Sequence, residues 1–218
     1  FDIDIILITG ISVIMKSSLS TNGNKLFWIS KRLFDVIMCL LLLPLLFIIS
    51  IFLLILNPFH NPGRLLFIQE RMGMNCEAFF AIKFRTMSPI EEITRKYDEP
   101  IEIDRITPLG RILRRTRIDE LPQILNVLRG EMSLIGPRPD YYIHALEYLK
   151  NIEGYSDRHT IRPGITGLSQ VRLGYVENLD SISKKVSIDN YYIQNVSYIT
   201  ELKIIFSTIL VIMQGIGK

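Results

Sequence analysis

Arginines and two adjacent carboxylates are concentrated in one short stretch of this chain. Residues 105–117 contain five arginines and no acidic residue, and Asp119 and Glu120 follow directly after Ile118. Arginine suits bidentate binding of phosphate. Carboxylates beside it can hold a divalent cation, and an ionised carboxylate can attack phosphorus. The stretch therefore predicts a site for an anionic, phosphate-bearing substrate.

A structural role also fits these residues. Acidic residues in the first turn of a helix commonly stabilise it, and an arginine-rich helix is often a solvated face or a headgroup-binding face. The motif Gly136-Pro137-Arg138-Pro139 favours a site, because two prolines fix the backbone and pre-aim the side chain of Arg138. A rigid turn with a solvated arginine is the alternative.

Other basic residues are weaker candidates. Lys83 and Arg85 alternate with Phe84, so they share one face of a predicted strand, which either lines the site or is exposed. Arg162 precedes a Pro-Gly turn and either contacts a nucleotide or shapes the loop. The three histidines have no ligand spacing and are interpreted as structural or exposed.

A long apolar segment precedes this region. Residues 36–56 carry no charge over 21 positions, enough for a helix to cross a hydrocarbon core of roughly 30 Å. Pro44 lies near the middle of the segment. Its ring removes a backbone donor and clashes with the preceding turn, so we expect the helix to kink or break there.

Basic residues flank the segment on both sides, with Lys31 and Arg32 before it and Arg64 and Arg71 after it. A simple span would place one basic group on the wrong side by the positive-inside rule. We therefore favour a re-entrant helix that turns at the proline, with a span as the alternative. In that arrangement Lys31 and Arg32 reach lipid phosphates, and Asp35 pairs with either of them.

The overall composition limits the class of protein. The chain has 218 residues, a net charge of +3 and two cysteines. This length fits one domain plus a membrane element. The two cysteines exclude a disulfide scaffold and fit a cytosol-facing protein. The mild charge, and arginines without interleaved aromatics, argue against nucleic-acid binding.

Local patterns predict a helix-dominated α+β fold with a small β-hairpin. Strands are expected at 65–70 and 78–84 around the turn Gly73-Met74-Asn75, although a positive φ at Cys76 would be strained and favours a different turn. Residues 162–168 are expected to form a loop. Helices are predicted at 88–97, 108–115, 118–129, 140–152, 186–196 and 198–213, the last one a core or interfacial helix.

Six blocks of the chain resemble the bacterial sugar transferase family, the monotopic polyprenyl-phosphate phosphoglycosyl transferases. The strongest is TRIDELPQILNVLRGEMSLIGPRP at 116–139. The others are KRLFD (31–35) before the apolar segment, QERMG (69–73), KFRTM (83–87), RPGITGLSQV (162–171) and DNYYIQN (189–195). Six blocks in the same order are far more specific than any single short motif.

This resemblance implies three regions. Residues 1–30 resemble the tail of an upstream domain or a linker, 31–57 a re-entrant membrane helix broken at Pro44, and 58–218 a cytosolic catalytic domain with amphipathic interfacial helices. The implied location is the bacterial inner membrane, with the catalytic domain facing the cytoplasm. A homodimer is compatible with this arrangement.

The resemblance also implies a reaction. Family members transfer a sugar-1-phosphate from a UDP-sugar to undecaprenyl phosphate, through a phosphosugar–aspartate intermediate and with release of UMP. On this chain Asp119 matches the nucleophile and Glu120 its partner, and the two together match the Mg²⁺ site. Arg114 and Arg138 match phosphate-binding residues, with Arg111, Lys83, Arg85 and Arg162 as further candidates for substrate contact. The rival hypothesis is a non-catalytic, membrane-anchored module that binds anionic lipid through the arginines of 105–117.

Overall fold

A computed structural model describes residues 25–61, 63–89, 102–174 and 179–214. Helices dominate, and two small sheets complete an α+β fold as predicted. Two predictions fall largely outside the described residues. They are the tail at 1–30, of which residues 1–24 are not described, and the helix at 88–97, of which residues 90–97 are not described. The remaining residues of that tail, 25–30, form the beginning of the first helix.

The first helix, α1, runs from Lys25 to His60 over 36 residues. It includes Pro44, so the helix does not end there, because a single proline removes only one ladder hydrogen bond. The kink expected at Pro44 as the other outcome stays a prediction. Among the described residues, α1 is the one helix that is both long enough and apolar enough to cross a membrane. A re-entrant path for this helix stays a prediction.

A narrow stripe of α1 is buried, and the rest of its apolar surface is exposed. The buried residues recur along its length and are Phe27, Lys31, Asp35, Cys39, Leu46, Leu53 and Asn57. Large side chains between them, such as Phe47 and Phe52, are 67% and 59% exposed. A core helix would bury these side chains, so the exposed surface is typical of a helix that contacts lipid.

The polar residues at the beginning of α1 bind the globular part of the protein. Lys31 is buried in an ion pair with Glu201, and Arg32 donates to the carbonyls of Val127 (2.7 Å) and Leu128 (3.2 Å). These contacts replace the predicted binding of lipid phosphates by the two basic side chains. The physical reason is that α1 packs against helices whose acidic side chain and carbonyl groups satisfy both cations.

Asp35 likewise bonds across to the globular part. Its carboxylate accepts hydrogen bonds from Ser133 Oγ (2.8 Å) and the Leu134 amide (3.2 Å). The predicted local pairing with Lys31 or Arg32 is replaced, because those cations have partners of their own. Asp35 therefore joins α1 to the strand that precedes the Gly-Pro-Arg-Pro motif.

The predicted hairpin is confirmed. Strand β1 (Leu66–Met72) pairs antiparallel with β2 (Ala78–Phe84), and a short 3₁₀ turn, Met74–Cys76, joins them. The expectation that Cys76 would avoid a positive φ is wrong, because Asn75 and Cys76 have φ angles of 56° and 61°. The seven-residue register of the two strands fixes the turn length and imposes that conformation.

The predicted helix α2 (Pro108–Arg115) begins as expected, with Thr107 as its cap accepting from the Gly110 amide. The predicted helix at 118–129 is divided into a 3₁₀ helix, Ile118–Gln123, and α3, Ile124–Arg129. Pro122 explains the division, since it has no amide to donate to an α-helical turn beginning at Ile118.

The chain then forms β3 (Ser133–Ile135), which pairs in parallel with β4 (Gly164–Thr166) inside the expected loop at 162–168. Glycine permits this close approach: a Cβ at Gly164 would lie 2.1 Å from the Gly136 nitrogen. The remaining elements are α4 (Tyr142–Asn151), a 3₁₀ helix (Tyr155–His159), α5 (Leu168–Leu173), α6 (Leu179–Gln194) and α7 (Tyr198–Met213). Thus α6 begins seven residues earlier than predicted, and α7 has the predicted bounds.

Candidate active site

A cavity of about 1170 Å³ lies between the hairpin, α2, the 3₁₀ helix Ile118–Gln123 and the Gly-Pro-Arg-Pro loop. Its wall combines apolar residues of β1 with a concentration of cationic side chains. The charged residues that line it are Arg64, Arg71, Lys83, Arg85, Glu102, Arg105, Arg114, Arg117, Asp119, Glu120 and Arg138. The fold therefore brings together three separate basic segments around the Asp-Glu pair.

The Asp-Glu pair is buried at the beginning of the 3₁₀ helix. Asp119 and Glu120 are 7% and 5% exposed. The preceding Arg117 has a left-handed backbone with φ of 59°, which turns the chain sharply out of α2. A non-glycine residue in this conformation is unfavourable by about 1–3 kcal/mol, so the surrounding packing imposes this turn.

Glu120 is fully engaged by cations. Lys83 Nζ lies 2.8 Å from its Oε1, and Arg138 binds both of its oxygens, at 2.5 and 3.2 Å. Arg117 is a further cation at 3.8 Å. Burial opposes ionisation, but Arg138 and Lys83 outweigh it and hold the pKa of Glu120 well below its usual range. Glu120 is therefore a carboxylate at neutral pH.

Asp119 differs from its neighbour. Its Oδ1 is buried and has no hydrogen-bond partner among the described residues. Burial raises the pKa of Asp119, with the neighbouring charge of Glu120 acting in the same direction and Lys83 and Arg138 acting against them. A buried carboxylate oxygen without a partner is costly in a folded protein, and such exceptions are typical of functional sites. Asp119, Glu120, Lys83 and Arg138 are called the cavity cluster below.

Lys83 is held in the cavity cluster by the sheet. Strand β2 has a free edge, and the buried side chain of Asn126 binds to it, accepting from the Ile82 amide (3.0 Å) and donating to the Phe80 carbonyl (2.7 Å). This contact connects β2 to α3, next to the 3₁₀ helix that carries Asp119. Burial lowers the pKa of Lys83 to about 8, although Glu120 acts against the shift.

Arg114 reaches the cavity from α2. Its Nε donates to Thr86 Oγ1 at 2.9 Å, which fixes the direction of the guanidinium. The helix packs directly on the Thr86 backbone, since a Cβ at Gly110 would lie 2.0 Å from the Thr86 carbonyl oxygen. Gly110 therefore allows the approach that brings Arg114 to the site.

Arg85 also lines the cavity, but its donors bind backbone. The guanidinium donates to the carbonyls of Asn61, Arg64 (2.7 Å) and Met87 (3.2 Å). It thus holds the segment after α1 against the end of β2. Its position agrees with the prediction, and its hydrogen bonds indicate that it builds the wall of the cavity.

Two predicted substrate-binding arginines lie elsewhere among the described residues. Arg111 is on the exposed side of α2, and Arg162 is exposed and donates to the Gly130 carbonyl at 2.7 Å. Neither is among the described residues that line the cavity. Residues three apart in a helix point in directions that differ by about 60° and lie about 4.5 Å apart along the axis, and here only Arg114 reaches Thr86 and the cavity.

Some residues of the cavity were not singled out by the sequence. Arg71 and Gln69 belong to the QERMG block, and Arg105 and Arg117 belong to the run of five arginines, so those motifs contained a signal. Tyr141 had none. The interpretation of the histidines as structural or exposed is confirmed: His60 is exposed, His144 is buried, and burial lowers the pKa of His159 to about 3.

The donor set suits a cation that is shared with a substrate. Within the described ranges there is no group of three His, Cys, Asp or Glu side chains that could hold a metal by themselves. Mg²⁺ typically takes one or two carboxylates and completes its shell with water and substrate phosphates. Asp119 has an oxygen available for this, whereas both oxygens of Glu120 are already bound.

Comparison with known proteins gives one family and several curated relatives. The family model described as bacterial sugar transferase matches residues 26–215. A UDP-glucose:undecaprenyl-phosphate glucose-1-phosphate transferase of Caulobacter vibrioides is 40% identical, over 82% of this chain and 68% of the relative. A UDP-N-acetylgalactosamine-undecaprenyl-phosphate N-acetylgalactosaminephosphotransferase of Aeromonas hydrophila is 37% identical over 86% of this chain.

The relatives differ in length. This chain covers 44% of the Aeromonas hydrophila protein. It covers 92% of the exopolysaccharide production protein PSS of Rhizobium leguminosarum bv. phaseoli, to which it is 38% identical over 82% of its own length. The chain therefore spans less than half of one relative and almost all of another.

Proposed function

The chain belongs to the bacterial sugar transferase family, and on that premise we propose that it transfers a sugar-1-phosphate from a UDP-sugar to undecaprenyl phosphate. The names of its relatives support this class of reaction. The observation that carries the proposal is the buried Oδ1 of Asp119, which has no hydrogen-bond partner within the part of the chain that the structure describes and lies in a cavity lined by Lys83, Arg114 and Arg138. These are the parts that phosphoryl transfer needs: one nucleophile and fixed positive charge around it.

The proposed reaction has two displacements at one phosphorus. An oxygen of the ionised Asp119 attacks the β-phosphorus of the donor, the bond to the bridging oxygen breaks, and UMP leaves with that oxygen. A phosphate oxygen of the acceptor then attacks the same phosphorus, the bond to Asp119 breaks, and the carboxylate is restored. The products are UMP and a sugar linked to the lipid by a diphosphate.

Each charged residue of the site has a separate role in the proposed reaction. Arg114 and Arg138 neutralise the donor phosphates and hold them near Asp119. Glu120 is a poor proton acceptor at neutral pH because its pKa is held well below the usual range, so we assign it the role of orienting Lys83 and Arg138. Mg²⁺ would be held by Asp119 and not by Glu120, both of whose oxygens bind Arg138 and Lys83, and it would supply further positive charge for the diphosphate when it is bound.

The first helix fits a lipid acceptor. The exposed apolar surface of α1 would sit in the bilayer, and the cavity begins at Gly63 and Arg64, directly after its end. We propose that α1 is re-entrant and that the catalytic domain lies on the cytoplasmic face of the inner membrane, where a polyprenyl phosphate exposes its headgroup.

Release of UMP tests the reaction. Detergent-solubilised protein with Mg²⁺ and undecaprenyl phosphate is incubated with a panel of UDP-sugars, and Asp119→Asn is compared with Asp180→Asn, an exposed aspartate on α6. We expect UMP only with the right donor, and only from the wild type and Asp180→Asn. An adduct with the mass of a phosphosugar, seen without acceptor, would support the covalent step. Equal release by Asp119→Asn and wild type would refute the role of Asp119.

Labelling tests the membrane path. In a variant without Cys39 and Cys76, single cysteines are placed at the exposed positions Lys25 and His60, at the two ends of α1. A re-entrant helix predicts that an impermeant thiol reagent modifies both from the cytoplasmic side only. Modification of the two from opposite sides would mean that α1 spans the bilayer.

The lipid-binding alternative makes a different prediction. It needs the arginines of 105–117 at the surface, but three of the five, Arg105, Arg114 and Arg117, line the cavity. A module of that kind would bind anionic vesicles equally well with Asp119→Asn and would release no UMP from any donor. The cavity therefore favours the transferase.

A further inference from the structure

A second group of buried charges lies behind the cavity, outside the residues assigned to the reaction. It consists of Asp140, Tyr155, Arg158, Lys185 and Asp189, called the closed cluster below. Arg158 forms ion pairs with both aspartates, Lys185 Nζ lies 2.5 Å from Asp140 Oδ1, and the Tyr155 hydroxyl donates to Asp140 Oδ2 at 2.8 Å. Arg158 has no exposed side-chain surface.

The closed cluster is joined to the cavity through three consecutive carbonyls. Arg158 Nη2 donates to the Arg138 carbonyl at 2.7 Å. Arg71 Nη1 donates to the Pro139 carbonyl at 2.6 Å, and the Met72 amide donates to the Asp140 carbonyl at 3.0 Å. The backbone that carries Arg138 is thus held at every residue of the segment 138–140.

The side chain of Arg138 depends on that backbone. It binds both oxygens of Glu120 across the cavity, and its own carbonyl is bound by Arg158 from the other side. A bidentate contact tolerates little rotation or translation of the guanidinium. A shift of the segment 138–140 would therefore break the contact with Glu120 and move the cation that faces Asp119.

We propose that Arg158 is a positioning residue for the transfer reaction, acting through Arg138, and that Asp140 and Lys185 hold Arg158 in place. This proposal rests on the proposed function, because it assigns Arg158 to the machinery of that site. The Arg158 guanidinium has donors for two aspartates and for the Arg138 carbonyl together. A lysine there keeps the charge, but its N–H donors all leave one nitrogen, so they cannot reach partners that Arg158 binds through three separate nitrogens.

A double-mutant cycle distinguishes positioning from a general effect on folding. Arg158→Lys is introduced into the wild type and into Arg138→Ala, and kcat and KM are measured from UMP release. In the wild type we expect kcat/KM to fall by about 10- to 100-fold. In Arg138→Ala, where the group to be positioned is absent, we expect a further change of less than about 2-fold. The same fold-loss in both backgrounds would overturn the proposal.

Two controls keep the test decisive. Asn190→Ala removes a hydrogen bond of 2.9 Å to the Gly154 carbonyl, which joins α6 to the start of the 3₁₀ helix carrying Arg158 but does not touch the segment 138–140. We expect it to leave kcat/KM within about 2-fold. If Arg158→Lys does not fold, Tyr155→Phe removes one hydrogen bond of Asp140 and should show a smaller loss with the same non-additivity. An equal loss with Asn190→Ala would contradict a specific role for Arg158.

A readout that needs no turnover separates this proposal from the proposed function. Hydrogen exchange followed by mass spectrometry on the full chain reports the amides of Gly136, Arg138, Asp140, Tyr141 and Met72, since residues 137 and 139 are prolines and have no amide hydrogen. We expect faster exchange at these positions in Arg158→Lys and unchanged exchange in Asn190→Ala. If the wild type released no UMP but exchange rose in this way, the reaction would be wrong and the positioning contact correct. Unchanged exchange in Arg158→Lys would refute the contact itself.

Discussion

The cavity cluster and the closed cluster each combine two carboxylates with one lysine and one arginine, and they differ in how their carboxylates are satisfied. In the closed cluster every charged side chain has an opposite partner, and the Arg158 side chain is fully enclosed. In the cavity cluster Glu120 takes the cations Lys83 and Arg138, and Asp119 keeps an unpartnered Oδ1 among the described residues. The first arrangement satisfies all of its charges, and the second leaves one carboxylate oxygen without a hydrogen-bond partner among the described residues.

The pKa values of the buried aspartates in the two clusters are shifted in opposite directions. Burial opposes ionisation of Asp140, but Lys185 and Arg158 outweigh it and hold its pKa below the usual range. Burial raises the pKa of Asp119, where the nearby cations are engaged mainly by Glu120. Similar burial thus has opposite outcomes, because the number of close cations decides which protonation state is favoured.

The largest expected difference between the clusters comes from Asp119→Asn. We expect UMP release to fall by about 10³-fold or more, because the amide is not a nucleophile. The thermal unfolding midpoint should stay the same or rise, since the substitution removes a buried charge whose Oδ1 has no hydrogen-bond partner in the described ranges. Activity and unfolding are measured on the same detergent preparation. Lost activity together with a clear drop in the midpoint would mean that Asp119 belongs to the scaffold.

Asp140→Asn, in the closed cluster, should lower stability, in contrast to Asp119→Asn. It leaves Arg158 and Lys185 buried with one charge too few between them, so we expect a loss of about 3–5 kcal/mol in the free energy of unfolding. Denaturant unfolding of the full chain measures it. The matched control is Asp180→Asn at the surface of α6, for which we expect a change within about 0.5 kcal/mol. Equal stabilities of the two variants would remove the distinction between the closed cluster and the surface.

Arg138→Lys tests the bidentate contact between Arg138 and Glu120 inside the cavity cluster. Lysine keeps the charge but cannot bind both oxygens of Glu120, so we expect kcat/KM to fall by about 10- to 100-fold. Arg129→Lys, an exposed arginine at the end of α3, is the control and should change kcat/KM by less than about 2-fold. Wild-type kinetics in Arg138→Lys would show that only the charge matters.

The loss of stability at acid pH should depend on Asp140 of the closed cluster. The pKa of Asp140 is lower in the folded than in the unfolded state, so its contribution is fully present above the unfolded value of about 3.8. As pH falls below that value, the unfolded state binds the proton first and stability declines. We therefore expect Asp140→Asn to lose less stability than the wild type between neutral pH and pH 3. Parallel pH profiles of the two proteins would contradict the lowered pKa.

The smallest expected effect concerns two arginines of α2. Arg114 lines the cavity and binds Thr86, whereas Arg111 is on the exposed side. We expect Arg114→Ala to reduce kcat/KM by about 10-fold or more and Arg111→Ala by less than about 2-fold. Arg114→Ala also removes the hydrogen bond to Thr86, so the unfolding midpoints of both variants are measured beside their kinetics. Equal kinetic losses would restore the sequence-based role of Arg111.

Much of the fold was predictable because its signals are local. The hairpin, the Thr107-Pro108 start of α2, the Gly130 end of α3 and the bounds of α7 follow from turn residues, caps and apolar periodicity. The errors have local physical causes too. Pro122 divides a predicted helix, and the strand register imposes a positive φ on Cys76.

The partners of the polar residues of α1 were not predictable in this way. Lys31, Arg32 and Asp35 have the spacing of a local cluster at a membrane surface, yet they bind groups about 95 to 170 positions away in the sequence. Packing of α1 against α3, β3 and α7 creates those partners. A sequence pattern reports which side chains need a partner, and the fold decides which one they receive.

The sequence by itself determined the chemistry that this chain can offer: arginines next to an Asp-Glu pair, a Pro-Arg-Pro loop and a long apolar helix. Only the tertiary structure decided which of the two carboxylates the cations bind. Lys83 and Arg138, 36 residues before and 19 residues after Asp119, both bind Glu120, and Asp119 keeps a buried Oδ1 that no described residue binds. Electrostatic interactions depend on separation in space, and the separation of residues along the chain does not fix it.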